Sequence, residues 1–583
     1  MKVILSIILF SSFTSSQNPQ QSIETFIDPF SEVKSFRPHL TPHLLEIAKN
    51  GQNLTPDKRT QLEALGFNFN RPLISRGGAK RSESDGLNKI YDSGMFRFHY
   101  TNSGFHSVNM TDINGNNISD YIESLAKIFN EVSTALHDQM GYLKPPGDGY
   151  YESTRDKGGS AHYDVYVRNL SPRYYGYVQP EEYAQGKGDN EQSGSVLEVN
   201  AFTSYMAMRN NYQNFPLDEA DNIKVTAAHE YFHAIQFGYD GWEKPWLLEA
   251  SAVWMEEEIY DYINDCYQYM KNWFDYPHRS LDESGYHWYG SFIFFEYLEQ
   301  HMGGNAIIRQ IMEKSVKSNS RNKDGSHLAI HDALKQTGLS FQQALNGMAV
   351  ANMVMSSLPS AGNFSYEEAE FYPVDGPAIF DVTNFQSGNR DTVESTNLAR
   401  FGSQYVKIVS DKPVQVDLMN TSGSFSDLQL NAILKRNDES YLVISSPSIN
   451  IDPTDLKSIH LSVVSQDSVG NNWDYKLIVK DGKPGTGSNV PKDFTLTNPY
   501  PNPFNGSVKL LIYILKESLV TVDVIDLSGR IVSRLHRGTL TSGNHQLSWN
   551  GKDEVGNAIS SGVYYIKVVG PSTQEWRPVT FVK

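Results

Sequence analysis

The 583-residue chain has a single cysteine, Cys266, so no disulfide can form within it and its stability has to come from packed cores and bound ions. After residue 10 no run approaches the ~20 consecutive apolar residues that a membrane-spanning helix needs. Positive charge is also scarce. Lysine and arginine number 50 against 67 aspartates and glutamates, a formal charge of −17, and such a surface does not attract nucleic acid or an anionic membrane. What is abundant is core material: 39% of residues are hydrophobic and 12% aromatic, enough for several packed domains in a chain this long.

The leading residues, MKVILSIILFSSFTSS, place Lys2 before an apolar run from Val3 to Phe10 and then small residues. They read as a signal peptide over 1–16, and an exported, extracellular or surface-attached protein is expected. From 17 to 89 the sequence is polar, with one helix expected from the Thr55 cap and Pro56 to Leu65, and a Gly-rich basic stretch from Arg76 to Arg81 that is easily cut. This region reads as a lead-in or a removable pro-region.

The strongest signal lies between Val225 and Glu258. In His229-Glu230-Tyr-Phe-His233 the helical spacing of four puts both imidazoles on one face, one turn apart, where together they can grip a Zn²⁺ ion. Glu230 then stands beside the metal, placed to take a proton from water as a general base. Gly238 is expected to stop this helix, and a second helical pattern begins at Trp246 and carries Glu249, sixteen positions after His233, in its first turn.

His-Glu-x-x-His followed by Trp246-Leu-Leu-Glu249 resembles the gluzincin clan of zinc metallopeptidases. The resemblance implies His229, His233 and Glu249 as zinc ligands, Glu230 as the base and protein or peptide substrates. Its gap to the glutamate is shorter than in the best-known members, which leaves Glu256, seven residues on along the same face, as a second candidate ligand. It also implies a tyrosine or histidine donor for the oxyanion, for which Tyr289 and His287 are the candidates beside an aromatic helix expected from Ser291; either can equally be a packing residue. Cys266, in a Tyr/Trp-rich segment, reads as a buried thiol rather than a nucleophile.

Upstream, Asp112, Asn114, Asn116, Asp120 and Glu123, with the Ile118 carbonyl, fall at positions 1, 3, 5, 9, 12 and 7 of a twelve-residue loop. This resembles the EF-hand-like calcium loops of secreted bacterial proteins, with Asn117 where such loops have glycine. The alternative is an Asx-rich turn capping a helix from Tyr121 to His137. Tyr163 to Arg168 and Ser195 to Asn200 alternate as strands.

The expected architecture is multidomain: an α+β zincin-like catalytic domain over 90–360, an all-β sandwich over 361–482, a linker at 483–491 and a C-terminal all-β immunoglobulin-like sorting domain over 492–583. Short alternating runs near 404–409, 414–418, 440–444, 459–464 and 475–479 carry the sandwich. In the last domain strands are expected at Val508 to Ile514, Val520 to Asp526, Gln546 to Trp549 and Gly562 to Val569. Asn502-Pro-Phe-Asn505, Asp526-Leu-Ser-Gly-Arg530, Trp549-Asn-Gly-Lys-Asp553 and Ser561-Gly-Val-Tyr-Tyr565 together resemble the sorting domain of the type IX secretion system, which implies that machinery as a partner. The competing reading of the whole is a surface adhesin or binding protein with a structural or vestigial zinc site, and a third is hydrolysis of another bond on the same scaffold.

Overall fold

A computed structural model describes residues 41–42, 44–45, 56, 86–147, 158–170, 174–184, 200–316, 326–422, 428–468, 473–484, 494–496, 499–514, 517–526, 530–541, 543–571 and 574–583. The expected signal peptide, the helix after Pro56, the basic stretch from Arg76 to Arg81, residues 195–199 of one expected strand and most of the 483–491 linker lie outside them.

Strands β1 (Lys89–Ser93) and β2 (Phe96–Tyr100) form a hairpin across Gly94, whose left-handed φ of 60° suits a residue without a side chain. On β2, Phe96 and Phe98 pack on Phe129 of helix α1 (Asp120–Ser133), with ring centroids 5.1 and 5.6 Å apart. The helix expected from Tyr121 to His137 is completed by a π-helical stretch, Thr134–Gln139. Strand β3 (Tyr163–Arg168) runs parallel to β2, β5 (Phe202–Arg209) runs parallel to β3, and β4 (Gly176–Tyr183) closes the sheet antiparallel to β5. The order is β1-β2-β3-β5-β4, so β4 is an edge. All eight residues of β5 are buried, as a strand covered on both faces requires.

Helix α2 (Glu219–Asp240) lies on this sheet, capped by the Asp218 side chain, which accepts from Asp221 N. It runs through Gly238 instead of stopping there. Gly238 serves close packing: a Cβ at that position would stand 2.9 Å from Pro146 Cδ. The helix ends at Gly241, where a Cβ would meet the Phe202 ring. Lys244 and Pro245 then start α3 (Pro245–Tyr260), which puts Glu249 just past the first turn expected for it. α2 and α3 are buried on nearly every face because the sheet covers one side and further helices the other. Those helices are α4 (Tyr267–Phe274), α5 (Tyr286–Gly290), α6 (Phe292–Leu298), α7 (Asn305–Ser315), α8 (Ser326–Lys335) and α9 (Phe341–Val354).

Tyr366 and Ala369 are buried in the same core, so the first packed unit extends beyond residue 361, and the first strand of the next unit is Ile379–Asn384. That unit is a sandwich of a five-stranded and a four-stranded sheet around Leu398, Val406, Leu461 and Leu477. It is joined to the helical unit by polar contacts: Tyr405 Oη donates to the Ala349 carbonyl at 2.9 Å and Asn431 Nδ2 to Asn346 Oδ1 at 2.7 Å. The C-terminal unit is all-β, a three-stranded and a four-stranded sheet closing on Trp549, Ile512, Val522 and Phe581. Its strands Val508–Ile514, Ser518–Ile525, Gly543–Trp549 and Gly562–Val569 correspond to the four expected, the second ending one residue before Asp526, and Phe494–Leu496, Ile531–Leu540 and Gln574–Phe581 complete it. Among the described residues no helix is long and apolar enough to cross a membrane.

Candidate metal centre

His229 and His233 leave α2 on one face, and α3 brings Glu249 against both. His229 Nε2 and His233 Nε2 are 3.0 Å apart, Glu249 Oε1 is 3.1 Å from His233 Nε2, and Oε2 is 3.5 Å from His229 Nε2. One ligand atom from each of the three lies within 4.8 Å of the others. All three side chains are buried, with exposures of 0–1%.

The protons on the two rings can be assigned from what lies behind them. Gln236 Nε2 donates to the Leu248 carbonyl at 3.0 Å, which fixes the orientation of the amide, so its oxygen faces His233 Nδ1 at 2.7 Å and must accept. His233 therefore carries its proton on Nδ1. His229 Nδ1 stands 2.6 Å from Glu256 Oε1, and an ionised Glu256 accepts there in the same way. The His233 Nε2 lone pair then points at His229 Nε2 and at the buried Glu249 carboxylate, and with Glu256 ionised the His229 Nε2 lone pair does the same.

Three converging electron-pair donors repel one another unless a cation stands between them, and an uncompensated buried charge costs several kcal/mol. A proton can play that part: burial opposes it, but the Glu249 and Glu230 carboxylates raise the His233 pKa above its ordinary value. A metal ion satisfies all three donors at once, and two imidazoles with one carboxylate fit Zn²⁺ with a position left open. Burial works against an ionised Glu249, yet the His233 and His229 rings outweigh it and hold its pKa well below the usual carboxylate range. Glu256 is the opposite case, since burial first, then Asp265, Glu257, Glu230 and Glu249, push its pKa far up. A cation among these acids relieves the same crowding.

Glu230, adjacent to His229, is wholly buried, and its Oε2 accepts a 2.7 Å hydrogen bond from Thr41 Oγ1. Tyr289 comes to the same place on α5. Burial, followed by the Glu249 and Glu230 carboxylates, pushes its phenol well above 10, so it keeps its proton. Gly290 makes that position attainable: a Cβ there would sit 2.8 Å from the Tyr269 carbonyl and 2.9 Å from Trp273 N, so α5 packs directly on α4 and Tyr289 stacks on Tyr269. His287 is placed elsewhere. Its Nδ1 donates to the Asn272 carbonyl at 2.9 Å, its ring lies on Trp273, and burial lowers its pKa to about 4. It is a packing residue, because α5 turns positions 287 and 289 to different sides.

Glu256, the alternative third ligand, supports the back of His229, and Gln236 does the same for His233. The signal for Gln236 was its place three residues after His233 on one helical face. Thr41 has no local signal, being 189 residues from Glu230. Cys266 is a buried thiol that donates to Glu257 Oε2 at 3.1 Å; burial and then Glu257 push its pKa well up, which suits packing rather than attack.

In the loop before α1, Asp112 Oδ1 and Oδ2 accept from the backbone N–H of Gly115 and Asn117, both at 2.8 Å, and Asn117 takes the left-handed φ of 68° that its position requires. Asn114 and Asn116 donate to Glu123 at 2.9 and 2.7 Å, Ile118 N donates to Asn116 Oδ1, and Asp120 accepts from Ile113 N. The oxygen-bearing side chains are thus gathered on one turn of chain, and Ser119 caps the helix.

The family model of the FlgD Ig-like domain matches residues 507–574, within the C-terminal all-β unit. No curated protein matches the chain. Among solved structures, dimeric latent PorU from Porphyromonas gingivalis aligns at 15% identity and a TM-score of 0.16, over 30% of this chain and 18% of its own. A β-1,2-glucanase from Parabacteroides distasonis aligns at 8% identity and 0.11, over 34% of this chain and 38% of its own. The chain therefore spans less than half the length of either.

The support behind His229 yields a prediction. Glu256→Gln replaces the carboxyl behind His229 by an amide that cannot ionise when the metal binds, and should weaken zinc binding about 10- to 100-fold in a chelator competition, with the fold unchanged by circular dichroism. Wild-type affinity in this variant would mean that Glu256 does not orient the ring.

Proposed function

We propose that the chain is a secreted zinc-dependent peptidase of gluzincin type, its catalytic unit an α+β zincin-like domain. The observation that carries this is the meeting of His229 Nε2, His233 Nε2 and the Glu249 carboxylate, with Glu230 one residue from the first histidine. A structural zinc site has no use for a carboxylate beside its ligands. Zn²⁺, when bound, supplies Lewis acidity, lowering the pKa of water towards ~7 and polarising the scissile carbonyl. Glu230 takes the proton from the attacking water and later hands it to the leaving amine. Tyr289, which stays protonated, donates a hydrogen bond to the oxygen that gains charge as the carbonyl is attacked. An extended peptide substrate would lie along the β4 edge, held by main-chain hydrogen bonds.

The C-terminal Ig-like unit and the leading apolar run support export through the type IX secretion machinery, with release or attachment outside the cell. We propose that Asp112, Asn114, Asn116, Asp120, Glu123 and the Ile118 carbonyl hold Ca²⁺ in a structural role, tying the loop to α1.

Two measurements follow. Glu230→Gln should retain zinc by metal analysis and lose about 10²- to 10⁴-fold in turnover of labelled casein; equal turnover would remove Glu230 from the mechanism. Calcium at ~100 times its dissociation constant should stabilise the chain by ~2.7 kcal/mol and raise its Tm, while Glu123→Ala should abolish the response. A melting temperature insensitive to calcium would leave the loop a helix cap only.

A further inference from the structure

Four described residues upstream of the sheet, Thr41, Pro42, Leu44 and Leu45, lie by the metal centre. Thr41, Pro42, Leu44 and Leu45 are helical, and Thr41, Leu44 and Leu45 are buried to within 1% of complete. Thr41 Oγ1 makes two bonds: it donates to Glu230 Oε2 at 2.7 Å and accepts from Val178 N at 2.9 Å. A hydroxyl has one proton, and a backbone N–H can only donate, so the directions are fixed. Val178 lies on the edge strand β4, opposite Met206 of β5, and its N–H faces the Thr41 segment. One hydroxyl thus occupies both the carboxylate that has to reach water and an edge N–H that has to reach a peptide carbonyl.

We infer that the segment around Thr41 to Leu45 is a built-in plug that holds this site closed, with Thr41 standing where water and substrate backbone would bind and the two leucines anchoring it. The consequence for activity rests on the peptidase reading; the closure rests on the contacts. Two observations converge on it. His229, Glu230 and His233 are 0% exposed and Glu249 is 1% exposed, a state that admits no polymer. The described residues of the segment are helical and precede Lys89, where β1 begins, so their departure removes none of the described strands. Leu44 and Leu45 belong to the same apolar core as the residues around the site, and their departure opens an apolar surface there that suits apolar substrate side chains.

The test uses the full zinc-loaded chain in three forms: wild type, Leu44→Asp with Leu45→Asp, and Thr41→Val. Two rates are read, removal of zinc by pyridine-2,6-dicarboxylate and initial turnover of labelled casein. If the plug keeps only a minor open population, the double variant should raise both rates about tenfold or more, and Thr41→Val should raise turnover about twofold or more. Should the double variant fail to fold by near-ultraviolet circular dichroism, Thr41→Val decides alone, by a turnover raised about twofold or more. Unchanged or lower rates in the folded variants overturn the plug, and if casein is still cut, the peptidase reading survives. Faster zinc removal with no turnover in any form keeps the plug and removes the peptidase reading.

Discussion

The structure depends on one electrostatic constraint: three electron-pair donors, His229, His233 and Glu249, meet in a buried interior where a cation has to stand between them. Gln236 holds the proton of His233 on Nδ1, away from the centre, and an ionised Glu256 does the same for His229. Gln236 is in turn locked by the Leu248 carbonyl and Ser251 on α3. The two helices are therefore joined by the same bonds that orient the ligands, and the centre and its scaffold form a single network. Such a network is expensive to leave half-satisfied, which is why a divalent cation at its middle accounts for it better than packing alone.

The rest of the first unit supplies that network with rigid walls. β5 underlies α2, α5 carries Tyr289 because Gly290 permits contact with α4, and Asp282 bridges Lys244 at the start of α3 to Arg400 of the sandwich. The sandwich is thus bound to the helix that presents Glu249. Among its described residues it carries no metal-ligating cluster like the one on α2 and α3, and what it contributes is support.

Local spacing carried most of what could be read from residues alone. Two histidines four apart and a glutamate on the following helix are short-range features, and so are the strands of the C-terminal unit, whose alternation is regular. The failures have separate physical causes. Gly238 reads as a helix stop because glycine often is one, while its use here is contact with Pro146, which no local pattern reveals. Strand β5, Phe-Thr-Ser-Tyr-Met-Ala-Met-Arg, is buried on both faces and so shows no alternation to read. Arg390–Leu398 is a polar edge strand of the sandwich and reads as loop. Tyr289 and His287 looked equivalent in sequence, and only the packing of α5 on α4 separated them. Thr41 was beyond reach, since nothing near it in the chain refers to a carboxylate so far along.

The central claim is that a metal ion sits between α2 and α3. Anomalous diffraction from crystals of the purified chain, collected on either side of the zinc absorption edge, tests it most directly. The account predicts one strong peak about 2.0–2.2 Å from His229 Nε2, His233 Nε2 and a Glu249 oxygen. A map without a peak there, from protein purified with zinc present and still folded with these side chains in place, would contradict it.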